Sequence, residues 1–310
     1  LHEKAVGEIG AIEPGSGAKG FEESLPRHIG LGIETQGLAE MPFGAGLSSS
    51  ASIEVATAVC LAALGGTEQP VMEEIAVLCQ KAENQYVGVS CGIMDQFIAA
   101  VGKKDHAIFL NCDTLEYQYV PLKLDDYTIV ITNTNKPHKH TESKYGERRR
   151  ECAEALAVIN QNGGKYKNLC DISLPELMNF KGHFQNETLY RRARHCVTEE
   201  KRTLLALHTL KSGDLAAFGA LMTEANLSMR DDYEATGREL EAVFDIATGI
   251  DGVLGSRMTG GGFGGCIIAL TRAGEAERIG QDIADAFDEA GFGEPVWFTV
   301  TPAPGAGRLA

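Results

Sequence analysis

The sequence lacks the long apolar run of a membrane-spanning protein and the excess of basic residues of a nucleic-acid-binding protein. Its longest apolar run, residues 55–64, is about half of the ~20 residues that a membrane-spanning helix requires. Its 28 Lys and Arg residues stand against 43 Asp and Glu residues, a formal net charge of −15 at pH 7. A binder of nucleic acid or anionic membrane needs a basic surface, so this acidic excess argues against both. The opening LHEKAVGEIG also lacks the apolar stretch of a signal peptide, and we expect a cytoplasmic protein.

Clustered cysteines and histidines are also absent from the sequence. The eight cysteines are scattered without a C-x-x-C pair, which is typical of reduced thiols in the cytoplasm rather than of disulfides or zinc ligands. The eight histidines show no H-E-x-x-H spacing. His138 and His140 are close, but a solvated loop explains them more simply than metal binding does. We therefore predict no structural transition metal.

The residues that are present have the balance of a folded globular protein. Apolar residues make up 44% and charged residues 23%, which excludes global disorder. At 310 residues the chain has the size at which one core usually divides into two. Helical and strand-like patterns alternate without an internal repeat, so we predict a mixed α and β protein of two lobes.

Periodicity and capping residues predict the main elements. SSSASIEVATAVCLAAL begins with serines that can cap a helix and ends at Gly65 and Gly66, so it is predicted to be a buried helix. The other predicted helices are 70–86, 143–161, 190–211, 213–228 and 273–290. The predicted strands are 106–110, 117–122, 127–132, 252–257, 266–270 and 296–300. Residues 1–40 are glycine-rich and weakly periodic, and no clear strand precedes the glycines at 44 and 46.

The segment PFGAGLSSSAS, residues 42–52, places glycines and serines at the predicted start of the first helix. A helix N-terminus offers unpaired N–H groups and partial positive charge, and glycines let the backbone approach an anion closely. The segment can therefore cradle a phosphate without a lysine. It is neither a G-x-x-x-x-G-K-[ST] loop nor a G-x-S-x-G elbow, and a plain glycine-rich turn with serine capping is the alternative.

A second glycine segment is MTGGGFGGC, residues 258–266. Gly260, Gly262 and Gly265 satisfy G-x-G-x-x-G, but a dinucleotide-binding fingerprint must open a helix. The following residues, CIIALT, have the pattern of a strand. We therefore predict a tight turn between strands that packs against another backbone or a ligand phosphate.

Two carboxylates follow the first glycine segment in the chain. Asp95 lies in CGIMDQF and Glu83 in the preceding AEN. Taken singly, each is most often a cap or a surface charge. Close to a phosphate cradle, however, one could bind Mg²⁺ while the other accepts the proton of an attacking hydroxyl, as phosphoryl transfer requires.

Together these motifs resemble those of the galactokinases in the GHMP small-molecule kinase superfamily. PFGAGLSSSAS is similar to the superfamily's ATP-phosphate loop, MTGGGFGGC to its C-terminal glycine motif, and CGIMDQF to the galactokinase segment with the catalytic aspartate. Further galactokinase-like stretches are LNCDTLEYQYVPL, TNTNKPHKHTESKYGERRREC, RRARHCVTEEKR, LSMRDDYEATGREL and PAPGAGR. The resemblance begins near residue 41 and reaches the C-terminal end. These stretches separate galactokinases from mevalonate and homoserine kinases.

The resemblance implies a fold and a reaction. The fold is a two-lobed α+β GHMP kinase, with a ribosomal-protein-S5-like N-terminal lobe at 1–130 and a ferredoxin-like C-terminal lobe at 131–310. The reaction is the phosphorylation of D-galactose at its C1 hydroxyl, the entry to the Leloir pathway, with ATP as co-substrate and Mg²⁺ as metal. We expect galactose and ATP to be the partners of a monomer or weak homo-oligomer that binds neither nucleic acid nor membrane.

The resemblance also implies site residues. Asp95 corresponds to the catalytic aspartate that contacts the C1 hydroxyl, and Gly92 and Tyr145 correspond to galactose contacts. Ser50 and Glu83 correspond to the groups that bind Mg²⁺. The residues that correspond to ATP contacts are Gly44, Ala45, Gly46, Leu47, Ser48, Ser49, Ser50, Ala51, Gly261 and Gly262. The basic residues at 136, 148–150 and 192–194 are expected to form structural ion pairs rather than phosphate clamps.

The chain departs from the family pattern near its start. Galactokinases carry a motif G-R-x-x-x-x-G-E-H-x-D-Y whose Arg flanks the catalytic aspartate and whose Glu, His and Asp contact the sugar. In residues 1–40 the sole Arg-His pair is Arg27-His28, and it lacks the Gly-Glu-His-x-Asp context of that motif. The first residue is Leu rather than Met. We therefore expect an N-terminal lobe that is truncated at its start and lacks this motif. A smaller departure is Ala225-Asn226, where the family usually has Ser-His.

Three alternatives to a galactose kinase are left open by the sequence. The first is a kinase for a related sugar such as N-acetylgalactosamine or galacturonate. The second is a non-catalytic galactose sensor on the same fold, although sensors tend to lose the Ser-Ala pair that Ser50 and Ala51 retain. The third is an inactive fragment, which the missing N-terminal motif suggests.

Overall fold

The computed structural model describes residues 5–7, 35–37, 46–67, 69–89, 91–136 and 141–307. The α-helices in these ranges are α1 (Ser49–Leu64), α2 (Met72–Ala82), α3 (Met94–Val101), α4 (Thr141–Gln161), α5 (Leu174–Phe180), α6 (Glu187–Ser212), α7 (Leu215–Ser228), α8 (Arg238–Gly249) and α9 (Ala276–Glu289). The strands are β1 (Ala5–Gly7), β2 (Thr35–Gly37), β3 (His106–Leu110), β4 (Tyr117–Pro121), β5 (Tyr127–Asn133), β6 (Val253–Met258), β7 (Cys266–Arg272) and β8 (Val296–Val300). None of these helices combines the length and the hydropathy that crossing a membrane requires.

Most predicted elements are confirmed, and the differences have physical reasons. Strands β3 and β8 have the predicted bounds, and α1 ends before Gly65 as predicted. Helices α3 and α5 and the paired strands β1 and β2 were not predicted, because they are too short to show a period. Helix α8 was not predicted either, although its buried residues have the spacing of a helical face: Leu240, Val243, Phe244 and Ala247.

The first core brings together α1, α2, α3 and the β3–β4 hairpin. Val55 of α1, Ile75 of α2 and Phe97 of α3 are buried in one apolar cluster. Tyr117 of β4 meets Phe97 edge to face, with ring centroids 5.1 Å apart. This packing holds the N-terminal turns of α1 and α3 against each other, and both turns carry predicted site residues.

The second core is built on an antiparallel sheet with the strand order β6-β7-β5-β8. Helices α8 and α9 cover this sheet, and their buried residues include Phe244 and Ile283. Strands and helices are segregated rather than alternating as β-α-β units, so the α+β class is confirmed. The predicted lobe boundary at 130/131 lies inside β5, which pairs with β7 from Tyr127 to Asn133. The division of the chain into lobes stays a prediction.

Candidate active site

Helix α1 begins directly after the glycine-serine segment. Gly46 (φ 72°) and Ser48 (φ 58°) both have left-handed backbone conformations there. Ser48 occupies the N-cap position, but its side chain does not cap the helix. Its hydroxyl instead forms a hydrogen bond with the carboxylate of Asp95. The predicted serine side-chain cap is therefore wrong, because Ser48 connects α1 to α3. The predicted ATP contacts Gly44 and Ala45 lie outside the described residues.

The other predicted ATP contacts near α1 differ in what they could offer a phosphate. Ser49 is partly exposed and Ser50 is exposed, so both hydroxyls lie at the surface of the first turn. Ala51 is fully buried, so neither its methyl group nor its backbone is exposed. Leu47 packs against the cluster of Ile131 and Cys266 in the sheet. The segment before α1 is thus anchored to the second core.

Asp95 lies in the first turn of α3 and is exposed to solvent. Although the residue is exposed overall, protein atoms around the carboxyl group reduce its hydration and raise its pKa. The hydrogen bond from Ser48 lowers the pKa, and the nearby charge of Glu83 raises it. The net direction is upward, which makes Asp95 a stronger base than an ordinary aspartate.

Glu83 is buried at the point where α2 passes into a π-helical turn, Glu83–Val87. The amide nitrogen of Gln96, a fully buried side chain on α3, donates to Glu83 Oε2 and, at 3.3 Å, to Glu54 Oε2 of α1. The thiol of Cys91 also donates to Glu83 Oε2, at 3.3 Å. Burial and this hydrogen bond raise the pKa of Cys91 to about 11. Through Gln96, helices α1, α2 and α3 are therefore connected beside the Glu83 carboxylate.

The predicted Mg²⁺ ligands have suitable chemistry. Ser50 supplies a hydroxyl and Glu83 a carboxylate, and Mg²⁺ prefers such oxygen ligands while keeping waters and substrate phosphates in its shell. Both hydrogen bonds that the Glu83 carboxylate accepts from described residues go to Oε2, so Oε1 is not engaged by them. No group of three or more His, Cys, Asp or Glu side chains in the described part of the chain could hold a metal by itself. His138 and His140 lie outside that part.

The predicted sugar contacts Gly92 and Tyr145 lie together. The Tyr145 hydroxyl is 3.9 Å from where a Cβ on Gly92 would be, and its Cδ2 atom is 3.9 Å from the same position on Gly261. Burial raises the pKa of Tyr145, so the phenol stays protonated. A pocket of about 440 Å³ opens beside them, which is within the size range of small-molecule sites. Its lining comprises Val77, Gln80, Cys91, Gly92, Ile93, Cys112, Asp113, Leu115, Tyr145 and Arg149.

The turn between β6 and β7 packs against other backbone, as predicted. A Cβ on Gly260 would lie 2.7 Å from the carbonyl oxygen of Gly46, so the turn touches the segment before α1. A Cβ on Gly262 would overlap the carbonyl oxygen of Ala235. Gly262 is buried and Gly261 is exposed, and their predicted contacts with ATP stay predictions.

Most of the basic residues named from the sequence form ion pairs, as predicted, whereas Arg149 lines the pocket. Arg192, with 1% of its side chain exposed, pairs with Glu151 at 2.6 Å and with Glu234 at 2.8 Å. Arg148 pairs with Glu151 at 2.9 Å, and Arg194 pairs with an aspartate of the π-helical turn after α7. These side chains tie α4 and α6 to that turn.

Several residues of the site are not predicted from the sequence. Gln96 follows Asp95 in the CGIMDQF motif, so the sequence indicated that it lies near the site. Nothing in the sequence indicated that its amide contacts two carboxylates. Gln80 lines the pocket without belonging to any motif, and Asp113 lies in the galactokinase-like stretch LNCDTLEYQYVPL, for which the sequence gave no site role. Asn226, at the departure from the family pattern, is buried and accepts a hydrogen bond at 2.8 Å from the backbone of Met258. It supports the strand that leads into the glycine turn.

Family models match both halves of the chain. Residues 16–103 match the model described as "GHMP kinases N terminal domain", and residues 206–289 match "GHMP kinases C terminal". A homoserine kinase structure from Cytophaga hutchinsonii, 18% identical with a TM-score of 0.55, covers 98% of this chain and 84% of its own, and shows the same fold. The predicted two-lobed GHMP fold is therefore confirmed.

The similarity to galactokinases is much stronger. A galactokinase from Fusobacterium nucleatum is 42% identical over 281 residues, which are 91% of this chain and 72% of that protein. One from Clostridium acetobutylicum is 42% identical, with 94% and 75% covered. The structure of Lactococcus lactis galactokinase complexed with galactose is 40% identical, with a TM-score of 0.82 over 87% of this chain and 69% of its own. The chain belongs to the galactokinase family of the GHMP kinases.

Proposed function

We propose that this protein transfers the γ-phosphoryl group of ATP to the C1 hydroxyl of galactose and releases galactose 1-phosphate and ADP. The hydrogen bond between Ser48 and Asp95 carries the proposal, because it joins a carboxylate of raised pKa to the start of a helix that can bind phosphate. The relationship to galactokinases, one of them solved with galactose, supports the choice of sugar.

The phosphate side of the mechanism depends on backbone groups. The first turn of α1 offers N–H donors and the positive end of the helix dipole, and Gly46 allows close approach to the phosphates of ATP. Such donors are already oriented before the reaction, so they stabilise the charge on the transferred group without reorganising. Net negative charge of the whole chain does not prevent this, since the donors act locally.

The sugar side depends on Tyr145, Gly92 and Asp95. The pocket beside Tyr145 and Gly92 would hold the sugar with its C1 hydroxyl toward Asp95. Asp95 would orient this hydroxyl and accept its proton as the oxygen bonds to the γ-phosphorus and the bond to the ADP oxygen breaks. General-base action of this kind typically contributes ~10²–10⁴ in rate.

Ser50 and Glu83 would hold Mg²⁺, with the Gln96 amide fixing the orientation of the Glu83 carboxylate. When bound, the ion neutralises charge on the phosphates. Gly44 to Ala51 and Gly261 to Gly262 would surround the nucleotide. We retain as proposals a cytoplasmic location, a monomer or weak homo-oligomer, and an N-terminal lobe of residues 1–130 with a C-terminal lobe of residues 131–310.

A sugar panel tests this function. ADP release is measured for the purified full chain with ATP, Mg²⁺ and either galactose, N-acetylgalactosamine, galacturonate or glucose. We expect galactose to give the highest kcat/KM and a product that carries phosphate at C1. A higher kcat/KM for another sugar would contradict the assigned substrate, and no sugar-dependent ADP release would contradict kinase activity in this chain.

A further inference from the structure

The glycine turn contains one large side chain, Phe263, in an unusual backbone conformation. Its φ is 61°, a left-handed value that is rare for bulky residues and persists only where the surroundings hold it. Its backbone N–H donates a hydrogen bond of 2.8 Å to the carbonyl of Ala235. A glycine adopts this conformation at no steric cost, so a phenyl ring at this position calls for an explanation.

The ring of Phe263 is held by two cations on α4. Lys144 Nζ lies 5.0 Å and Arg148 Cζ lies 5.8 Å from the ring centroid, both within cation–π distance. Arg148 is itself fixed, because it donates to Glu151 at 2.9 Å and to the carbonyl of Glu234 at 3.2 Å. The ring is therefore attached to a rigid part of α4 rather than to a free side chain.

The same end of α4 carries the predicted sugar contact. Tyr145 lies between Lys144 and Arg148 in the sequence, and its ring faces Gly261 of the turn and Gly92 of the pocket. The preceding residue of the turn, Gly260, packs against the carbonyl of Gly46 before α1. Two adjacent glycines of the turn thus contact the sugar half and the phosphate half of the site.

We propose that Phe263 is a positioning residue that couples the two halves of the site. By clamping the turn to α4, it sets Gly260 against the phosphate segment and Tyr145 against the sugar pocket at the same time. Binding of one substrate then fixes part of the site of the other. This inference rests on the proposed function, since it concerns the coupling of sugar and nucleotide binding.

The test compares Phe263→Leu with Phe263→Tyr, which keeps an aromatic face for the two cations. Calorimetry measures the affinity for ADP without galactose and at saturating galactose, and steady-state kinetics give kcat and KM. In the wild type and in Phe263→Tyr we expect galactose to increase ADP affinity. In Phe263→Leu we expect this increase to disappear and kcat to fall about tenfold, because both cation–π contacts are lost.

A matched control separates this role from simple stabilisation. Phe292 lies in the core away from the site and stacks on Phe287, with ring centroids 5.0 Å apart. It also has a cation–π contact, since Arg238 Cζ lies 5.2 Å from its ring centroid. Phe292→Leu should lower Tm while keeping the wild-type kcat and the wild-type coupling. If Phe263→Leu does not fold, the exposed Lys144 gives a milder variant, and Lys144→Met should weaken the coupling about two- to fivefold.

Two results would overturn the inference while leaving the proposed function intact. One is an active wild type in which galactose does not change ADP affinity. The other is a folded Phe263→Leu, or a Lys144→Met, with the coupling of the wild type. A wild type that phosphorylates no sugar would instead contradict the proposed function itself.

Discussion

Asp95 combines two properties that a general base needs. Its side chain is accessible, and reduced hydration together with the nearby Glu83 charge raises its pKa. The hydrogen bond from Ser48 opposes this rise but fixes the direction of the carboxylate. Base strength and orientation therefore come from different neighbours, which lie on different helices.

Single residues were predictable from the sequence only where a motif contains them. Asp95, Glu83 and Tyr145 were found through the resemblance of short stretches, and their roles stay predictions. The double contact of Gln96 was not predictable, because Glu54 and Glu83 lie on other helices and only packing brings them together. For the same reason, the sequence could not show that Ser48 serves Asp95 rather than its own helix.

A prediction at the residue scale concerns His195, which is buried, hydrogen-bonded to Ser228 at 2.9 Å and stacked on Tyr233. Burial lowers its pKa from the ordinary histidine value of 6.5 to about 4. Between these values the unfolded chain binds the proton and the folded chain does not, so stability falls as pH falls. Because of this histidine, the free energy of unfolding should fall by about 2 kcal/mol between pH 7 and pH 5.

Urea unfolding of the wild type and of His195→Gln at both pH values measures this cost. His195→Gln should lose about 2 kcal/mol less than the wild type between pH 7 and pH 5. The exposed His208 on the same helix provides the control, and His208→Gln should follow the wild type. Equal pH dependence in His195→Gln and the wild type would show that His195 is not a buried neutral histidine.

At the scale of elements, the glycine turn between β6 and β7 depends on the absence of side chains. Gly260 and Gly262 both have positive φ and both face carbonyl oxygens of other segments. The sequence predicted this turn correctly, since five glycines in six positions leave few other structures. It could not identify Gly46 and Ala235 as the backbones that the turn touches.

Gly262→Ala tests this requirement directly. The new methyl group would overlap the Ala235 carbonyl and would also need a left-handed backbone, so we expect a loss of at least about 2 kcal/mol in stability. Gly274→Ala is the control, because no heavy atom lies within 4 Å of its Cβ position and its φ is not in the left-handed region. Thermal unfolding compares the two variants. A Gly262→Ala protein with the Tm of Gly274→Ala would refute the close packing.

Helices and strands were predicted accurately where they are long enough to show a clear hydrophobic period. Strands β3 and β8 carry clear β-type runs and were bounded correctly, whereas α3 and α5 are too short to show helical periodicity. Helix α8 is a different case, because its buried positions have a readable spacing that the sequence analysis did not use.

At the scale of the whole molecule, the site lies where the first core meets the second. Leu47 packs on the cluster of Ile131 and Cys266 and Gly46 meets Gly260, so the segment before α1 is positioned by residues that lie far later in the chain. The order of elements and the α+β class could be predicted from local patterns. The junction between the two cores could not be predicted in this way, because it depends on contacts between segments that are distant in the sequence.

The proposed mechanism depends above all on Asp95, which would act on the sugar hydroxyl beside the phosphate-binding start of α1. Asp95→Asn keeps the shape of the side chain and can still accept the Ser48 hydrogen bond, but it cannot take a proton. Asp125→Asn is the matched control, since Asp125 is exposed in a turn remote from the site and its φ of 43° tolerates asparagine.

The decisive measurement is the rate of ADP release with galactose for these two variants and the wild type, with ADP binding measured alongside by calorimetry. We expect Asp95→Asn to bind ADP as the wild type does while its kcat falls by ~10²–10⁴, and Asp125→Asn to be unchanged. A folded Asp95→Asn protein with the kcat of the wild type would show that Asp95 is not the base.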